Sequence, residues 1–197
     1  VVNNSLQDLN LGHNDINKEG CFEIAKMLLA NNSLRMLDLR NNIIGTNGCM
    51  ELVEALKINR SLHTLNLINN YIGREARIEL VKMLTINNNL RIVNLTYNQL
   101  DVERCTFKNK SKKLDTDNNQ HALFLRSNNI SDEECVELAK ILATNDKLHK
   151  LDLSVNDIDA DGCIELAKML TTNNTLQDLY LSHNKIGIAT CIELAKM

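Results

Sequence analysis

Aromatic residues are scarce in this 197-residue chain, which has three Phe, three Tyr and no Trp. No aromatic residue interleaves with the basic run Lys108 to Lys113, so nothing there suggests stacking on nucleic-acid bases. The net charge is only -3. That is too small to argue for a nucleic acid or an anionic membrane as partner. No apolar run approaches 18 residues, so no membrane-spanning segment is expected. The opening Val1-Val2-Asn3-Asn4-Ser5 has neither a basic start nor an apolar stretch, and does not read as a signal peptide. The patterns G-x-x-x-x-G-K-S/T, G-x-S-x-G and H-E-x-x-H are all missing, which removes the P-loop, the nucleophile elbow and the zinc-protease helix. No cofactor and no small-molecule substrate is implied, and the chain does not read as an enzyme.

What the chain does have is repetition. Leu34 to Ile44 reads L-x-x-L-x-L-x-x-N-x-I. The same pattern runs from Leu6, Leu62, Leu90, Leu148 and Leu176, and from Gln120 with that one fault. The steps between starts are 28, 28, 28, 30, 28 and 28 residues. Seven registers at one period define a repeat array, with one continuous core and contacts only between neighbouring units. In each unit, residues such as Leu9 and Leu11 alternate with Asp8, Asn10 and Gly12, the mark of a strand buried on one face. Asn14, Asn42, Asn70, Asn98, Asn128, Asn156 and Asn184 follow in register. They are expected to form a ladder bonding backbone groups where the chain leaves the strand. Cys21, Ile24, Ala25 and Leu28 then share one face of a helix. Glu23–Lys26, Glu79–Lys82, Glu137–Lys140, Glu165–Lys168 and Glu193–Lys196 lie on the solvated side. Gly20, Gly48 and Gly162 precede the cysteine where units pack closely. Asn31-Asn32-Ser33 and its relatives are expected to form a polar return loop.

The pattern resembles the leucine-rich repeat family, and the 28-residue unit resembles its ribonuclease-inhibitor-like subfamily, as in the C-terminal repeats of Nod-like receptors. The resemblance implies an α/β solenoid over residues 1–197, with parallel strands on a concave face and helices on a convex one. Packing dictates that curvature, because strands sit about 4.8 Å apart and helices about 8–10 Å. It also implies a protein-binding module: sensing repeats or a cytosolic scaffold. Alternatives are a regulator of a small GTPase, like the Ran GTPase-activating proteins, or a ribonuclease inhibitor. No polar capping unit is visible at either end, so the chain reads as part of a longer array.

Cys21, Cys49, Cys105, Cys135, Cys163 and Cys191 hold one position of the repeat. Stacked one per helix, they lie too far apart for disulfides, so they are expected to be free, core-facing thiols. That suits a reducing, cytoplasmic setting, where the Asn-x-Ser/Thr triplets of the loops stay unglycosylated.

The array falters between about Arg77 and Gln120. Arg77 replaces a ladder cysteine. The stretch 101–119 is irregular, and Lys108 and Lys112 fall on core positions, where a lysine is costly to desolvate. The helix there is expected to be lost, shortened or rotated. Lys108, Lys110, Lys112 and Lys113 read either as a decayed, solvated run or as a basic docking site. His63, His121 and His149 share one repeat position. His121 and His149, on adjacent strands, could share a metal ion, although strand-edge histidines are more often simply exposed.

On the concave face solvent alone would select polar residues. Met36, Ile68, Ile92 and Phe124 depart from that, and Arg40 and Arg126 share their strip. Large apolar groups and arginine are typical interface anchors. These six residues are the candidate protein-binding site, with Phe124 and Arg126 foremost.

Overall fold

The computed structural model describes residues 3–98 and 120–195. Seven strands form one open parallel sheet in sequence order: β1 Asp8–Asn10, β2 Met36–Asp38, β3 Thr64–Asn66, β4 Ile92–Asn94, β5 His121–Phe124, β6 Leu148–Asp152 and β7 Asp178–Tyr180. Among the described residues six helices lie behind it: α1 Lys18–Ala30, α2 Gly45–Leu56, α3 Arg74–Ile86, α4 Asp132–Leu142, α5 Ala160–Leu170 and α6 Ile188–Leu194. The architecture is the expected α/β solenoid. Each strand pairs with its equivalent one unit away, as in Met36↔Thr64 and Thr64↔Ile92. The two extra residues of the fourth unit do not interrupt the sheet, because Ile92 pairs directly with Ala122.

The core is a stack of equivalent leucines. Leu37, Leu65, Val93, Leu123 and Leu151 point back from the strands, and Leu39, Leu67, Leu95, Leu125 and Leu153 follow them, all fully buried. Truncating any of these leucines to alanine is expected to cost about 2–5 kcal/mol. Against these pack Leu28, Leu52, Leu80, Leu138 and Leu166 of the helices.

The asparagine ladder forms as expected. Asn42 Nδ2 donates to its own unit's Leu39 carbonyl (2.8 Å) and to Leu11 of the preceding unit (3.0 Å). Its Oδ1 accepts from Ile16 N–H (3.0 Å). Asn70, Asn98 and Asn156 repeat the bridge to a preceding unit. A second ladder lies within the polar return loops. Asn31, Asn59, Asn87, Asn145 and Asn173 are buried. Asn59 Nδ2 donates to Leu28 and Asn31 carbonyls, and Asn59 Oδ1 accepts from Ser61 and Leu62 N–H groups. The backbone groups freed at the helix end must be satisfied, and the neighbouring unit's asparagine does it.

Cys21, Cys49, Cys135 and Cys163 are buried free thiols. Cys191 is exposed, which corrects the expectation that every ladder cysteine faces the core. It sits on α6, the last described helix, with no described helix beyond it to cover that face. Cys105 and the lysines of 101–119 lie outside the described residues. The close approach at the glycines is real: a Cβ on Gly48 would lie 3.2 Å from the Lys18 Cα of the unit before. The exposed Glu–Lys pairs form at Glu23–Lys26 (2.8 Å), Glu79–Lys82 (2.9 Å) and Glu165–Lys168 (2.6 Å). Glu137 instead turns to Arg74 (3.4 Å) and Lys82 (3.9 Å) of α3. Glu193–Lys196 involves a residue outside the described range.

The expected weakness starting at Arg77 is not found in the described part of that stretch. Leu80, Val81, Met83, Leu90, Val93 and Leu95 are all fully buried. Arg77 itself is only 4% exposed and faces Glu134 of α4, 2% exposed. Nε donates to Oε1 at 2.9 Å, Nη2 to Oε2 at 2.7 Å, and Nη1 to the Ile72 carbonyl at 2.9 Å. Glu134 stands where Gly20, Gly48 and Gly162 stand in other units. Two departures from the repeat thus neutralise each other, and α3 packs directly on α4.

Candidate protein-binding face

Side chains at the second and fourth positions of the repeat's strand face away from the helices, because alternate residues of a strand point to opposite faces. The fourth position is mostly structural. Asn10, Asp38, Asn66, Asn94 and Asp152 each accept the backbone N–H two residues on: Gly12, Arg40, Ile68, Thr96 and Ser154, at 2.9–3.2 Å. This is the local turn that short amide and carboxylate side chains favour. Phe124 and Tyr180 occupy the same position and cannot make that bond. They flank Lys150, whose Nζ lies 6.0 Å from the Phe124 ring centre and 5.0 Å from that of Tyr180. Tyr180 is 43% exposed.

The six sequence-derived candidates lie on, or just beyond, the adjacent strands β2 to β5. Phe124 and Arg126, on β5 and just beyond it, are half-buried, as are Met36, Arg40 and Ile68. Ile92 is only 4% exposed, packed between neighbouring strands. Met36 and Ile92 line one recess of about 460 Å³ together with Asp8, Arg35, His63, Thr64 and Arg91. Arg40 lies beyond the strand, its Nε 3.3 Å from Asp38.

That recess brings in Arg35 and Arg91, which the sequence reading passed over, beside His63, which it read only as one of a column of histidines. Gln7, Arg35, His63, Arg91, His121, His149 and Gln177 hold one repeat position, at or next to the start of each strand. Their backbone is tightly held: the His63 carbonyl accepts from both Arg91 N–H (2.8 Å) and Ile92 N–H (3.0 Å). Arg35 Nη1 donates to the Ser61 carbonyl at 2.9 Å. Burial, and then the nearby Arg91 and Arg35, hold the His63 imidazole below its usual pKa. The same is true of His121, through burial first and His149 next. The signal was visible in the sequence as a run of cationic and imidazole residues in one column. The sequence reading named the three histidines of that column but not the two arginines between them.

His121 and His149 do come together, with ring centres 6.2 Å apart and planes 15° from parallel. His149 Nδ1 accepts the His121 backbone N–H at 3.3 Å, so that nitrogen is engaged within the fold. Among the described residues no cluster of three or more His, Cys, Asp or Glu is placed to hold a metal ion. Among them, too, no helix is long and apolar enough to cross a membrane.

The family model described as Leucine Rich repeat matches residues 2–25, 30–53, 87–103, 144–167 and 172–188, more than half of the chain. The protein belongs to the leucine-rich repeat family. The unmatched stretches hold Arg77 and Glu134, where the units depart from the repeat. Comparison with curated proteins finds no match. Two solved structures are similar in fold. One is the leiomodin-1 actin-binding site 2, with a TM-score of 0.56 and 18% identity, covering 85% of this chain and 80% of that one. The other is the tropomodulin C-terminal domain of Caenorhabditis elegans, with a TM-score of 0.59 and 13% identity, covering 87% of this chain and 86% of that one. Identities this low speak to the fold alone.

Proposed function

We propose that this leucine-rich repeat protein is a non-catalytic interaction module that binds a protein partner on its strand-lined face. The observation that carries this is the Phe124–Lys150–Tyr180 cluster. Five strands keep an Asn or Asp at that position to bond their own backbone. Phe124 and Tyr180 give up a hydrogen bond worth about 0.5–1.5 kcal/mol and place aromatic surface beside a cation. Aromatic groups and arginine dominate binding energy at interfaces, and Arg126 adjoins Phe124.

Sensing repeats of a Nod-like receptor or a cytosolic scaffold are the uses that fit a 28-residue, ribonuclease-inhibitor-like unit with reduced thiols. The leiomodin-1 structure carries the name of an actin-binding site, which makes actin the first partner to test. Ribonuclease inhibition is disfavoured by charge. Asp38 is engaged by Arg40 and Asp152 by its own turn, while Arg35 and Arg91 add positive charge. The face is therefore not acidic enough to favour a basic enzyme.

The test is co-sedimentation with filamentous actin, and titration of monomeric actin, using the wild type, Phe124→Ala and Arg126→Ala. Each variant should weaken binding by more than about 1 kcal/mol without lowering the melting temperature. If both variants bind normally while substitutions at Glu23 and Lys26 on the convex side abolish binding, the site is on the other face. If wild-type protein does not bind actin, actin falls as the partner. The same three proteins then discriminate the faces for any partner recovered by cross-linking.

A further inference from the structure

One row of side chains crosses the concave face from β3 to β7. Asn66, Asn94, Phe124, Asp152 and Tyr180 are direct neighbours in the register of the sheet. All face away from the helices, as alternation along a strand requires. Asn66 and Asn94 are only 4% and 8% exposed. The Oδ1 of each accepts a backbone N–H of its own turn, from Ile68 at 3.2 Å and from Thr96 at 3.0 Å. That bond fixes the amide, and neither Nδ2 has a partner among the described residues. A buried donor left unpaired is costly, so a ligand oxygen arriving there would be favoured. Beyond the two amides stand the rings of Phe124 and Tyr180, two strands apart. Asp152, between the rings, is the row's one charged member, and its Oδ1 accepts the Ser154 N–H. Lys150 stands two residues before it on the same strand, so charge selects no occupant. Hydrogen-bonding capacity does.

We propose that this row receives a proline-rich segment of a protein partner in the polyproline II conformation, its carbonyls on Asn66 and Asn94 and its side chains on Phe124 and Tyr180. The proposal deepens the concave-face reading and rests on it. The amides offer donors and no spare acceptor, because each Oδ1 is spent on its own turn. A polyproline II segment is the matching backbone: it makes no internal hydrogen bonds, so its carbonyls are free, and its prolines carry no N–H. An α-helix would arrive with its carbonyls already bonded. An ordinary extended chain would bring N–H groups that the amides cannot accept. Spacing agrees as well. The two rings stand about 10 Å apart at 4.8 Å per strand, and three residues of polyproline II, one turn, advance about 9.3 Å. Every third side chain of the ligand therefore meets a ring. The amides are oriented and the ligand is stiff before they meet, which reduces the entropy lost on binding.

Fluorescence anisotropy with a labelled peptide of four Leu-Pro-Pro repeats tests this, beside a peptide of four Leu-Ser-Ser repeats, which keeps the leucine spacing and restores the N–H groups. Wild-type protein should bind the proline peptide and bind the serine peptide at least about tenfold more weakly. Asn66→Asp with Asn94→Asp keeps the oxygen that holds each turn, as Asp38 and Asp152 do on their own strands, and removes both free donors. That double variant should weaken binding of the proline peptide about tenfold with an unchanged circular-dichroism melt. If it melts lower, Asn94→Asp alone, at the more exposed of the two sites, is read instead. Tyr180→Ala should weaken the same peptide. No binding of the proline peptide, equal binding of the serine peptide, or unchanged binding by the folded Asn→Asp variant overturns the proposal. The two readings separate cleanly. If Phe124→Ala weakens partner binding while the proline peptide does not bind, the concave site stands and the proline-rich occupant falls. If the proline peptide binds as expected while partner binding ignores Phe124 and Arg126, the row stands as a peptide site and the partner's site lies elsewhere.

Discussion

Replacing Glu134 by alanine should be among the most damaging single changes available in this protein. Arg77 would be left with its guanidinium 4% exposed and one remaining bond, Nη1 to the Ile72 carbonyl. Both Nε and Nη2 would lose their acceptors. Breaking a buried pair by removing one partner costs about 3–5 kcal/mol, because the surviving charge stays uncompensated. Against a typical domain stability of about 5–15 kcal/mol, that is a large fraction. Arg77→Ala should cost a similar amount, since Glu134 is 2% exposed. The double variant Arg77→Met with Glu134→Leu should recover most of the loss, because apolar replacement of a whole buried pair is often neutral or stabilising. Urea denaturation followed by circular dichroism gives the free energies, and the double-mutant cycle gives the coupling. Stability in a repeat array is set locally, so hydrogen exchange in α3 and α4 should report the loss first. A cost below about 1 kcal/mol for Glu134→Ala, or strict additivity in the cycle, would mean that the pair does not hold α3 to α4.

Among the five described cysteines, thiol labelling without denaturant should single out Cys191. Cys21, Cys135 and Cys163 are pushed up to about 12, about 12 and about 11, chiefly by burial, and Cys49 is raised for the same reason. Mass spectrometry after brief exposure to a thiol reagent should find Cys191 modified and these four protected; rapid labelling of any of the four contradicts their packing. Val155→Asn should stabilise the protein by about 1 kcal/mol. Val155 is a β-branched residue at φ 57° in a column where Asn41 and Asn69 adopt the same left-handed backbone. An unchanged or lowered urea midpoint would show that the valine side chain earns its place by packing.

Much of this structure was legible before any coordinates. The 28-residue spacing of Leu, Asn and Cys determined the strand, turn and helix of each unit, and hence a parallel array, because identical units can bury identical faces only by stacking in register. The asparagine ladder was legible for the same reason: its partners sit one period away. Even the second ladder, Asn31 to Asn173, was written in that spacing, although its burial was not foreseen. Periodicity could not reveal contacts that break the period. Arg77 and Glu134 are 57 residues apart and each looks like a fault in its own unit; only the packing of α3 on α4 shows that one answers the other. The burial of Ile92, the exposure of Cys191 and the recess joining Arg35 to Arg91 are likewise outcomes of which neighbours stand on each side. Local pattern determines what each unit is. The surface it presents is decided by the units packed against it.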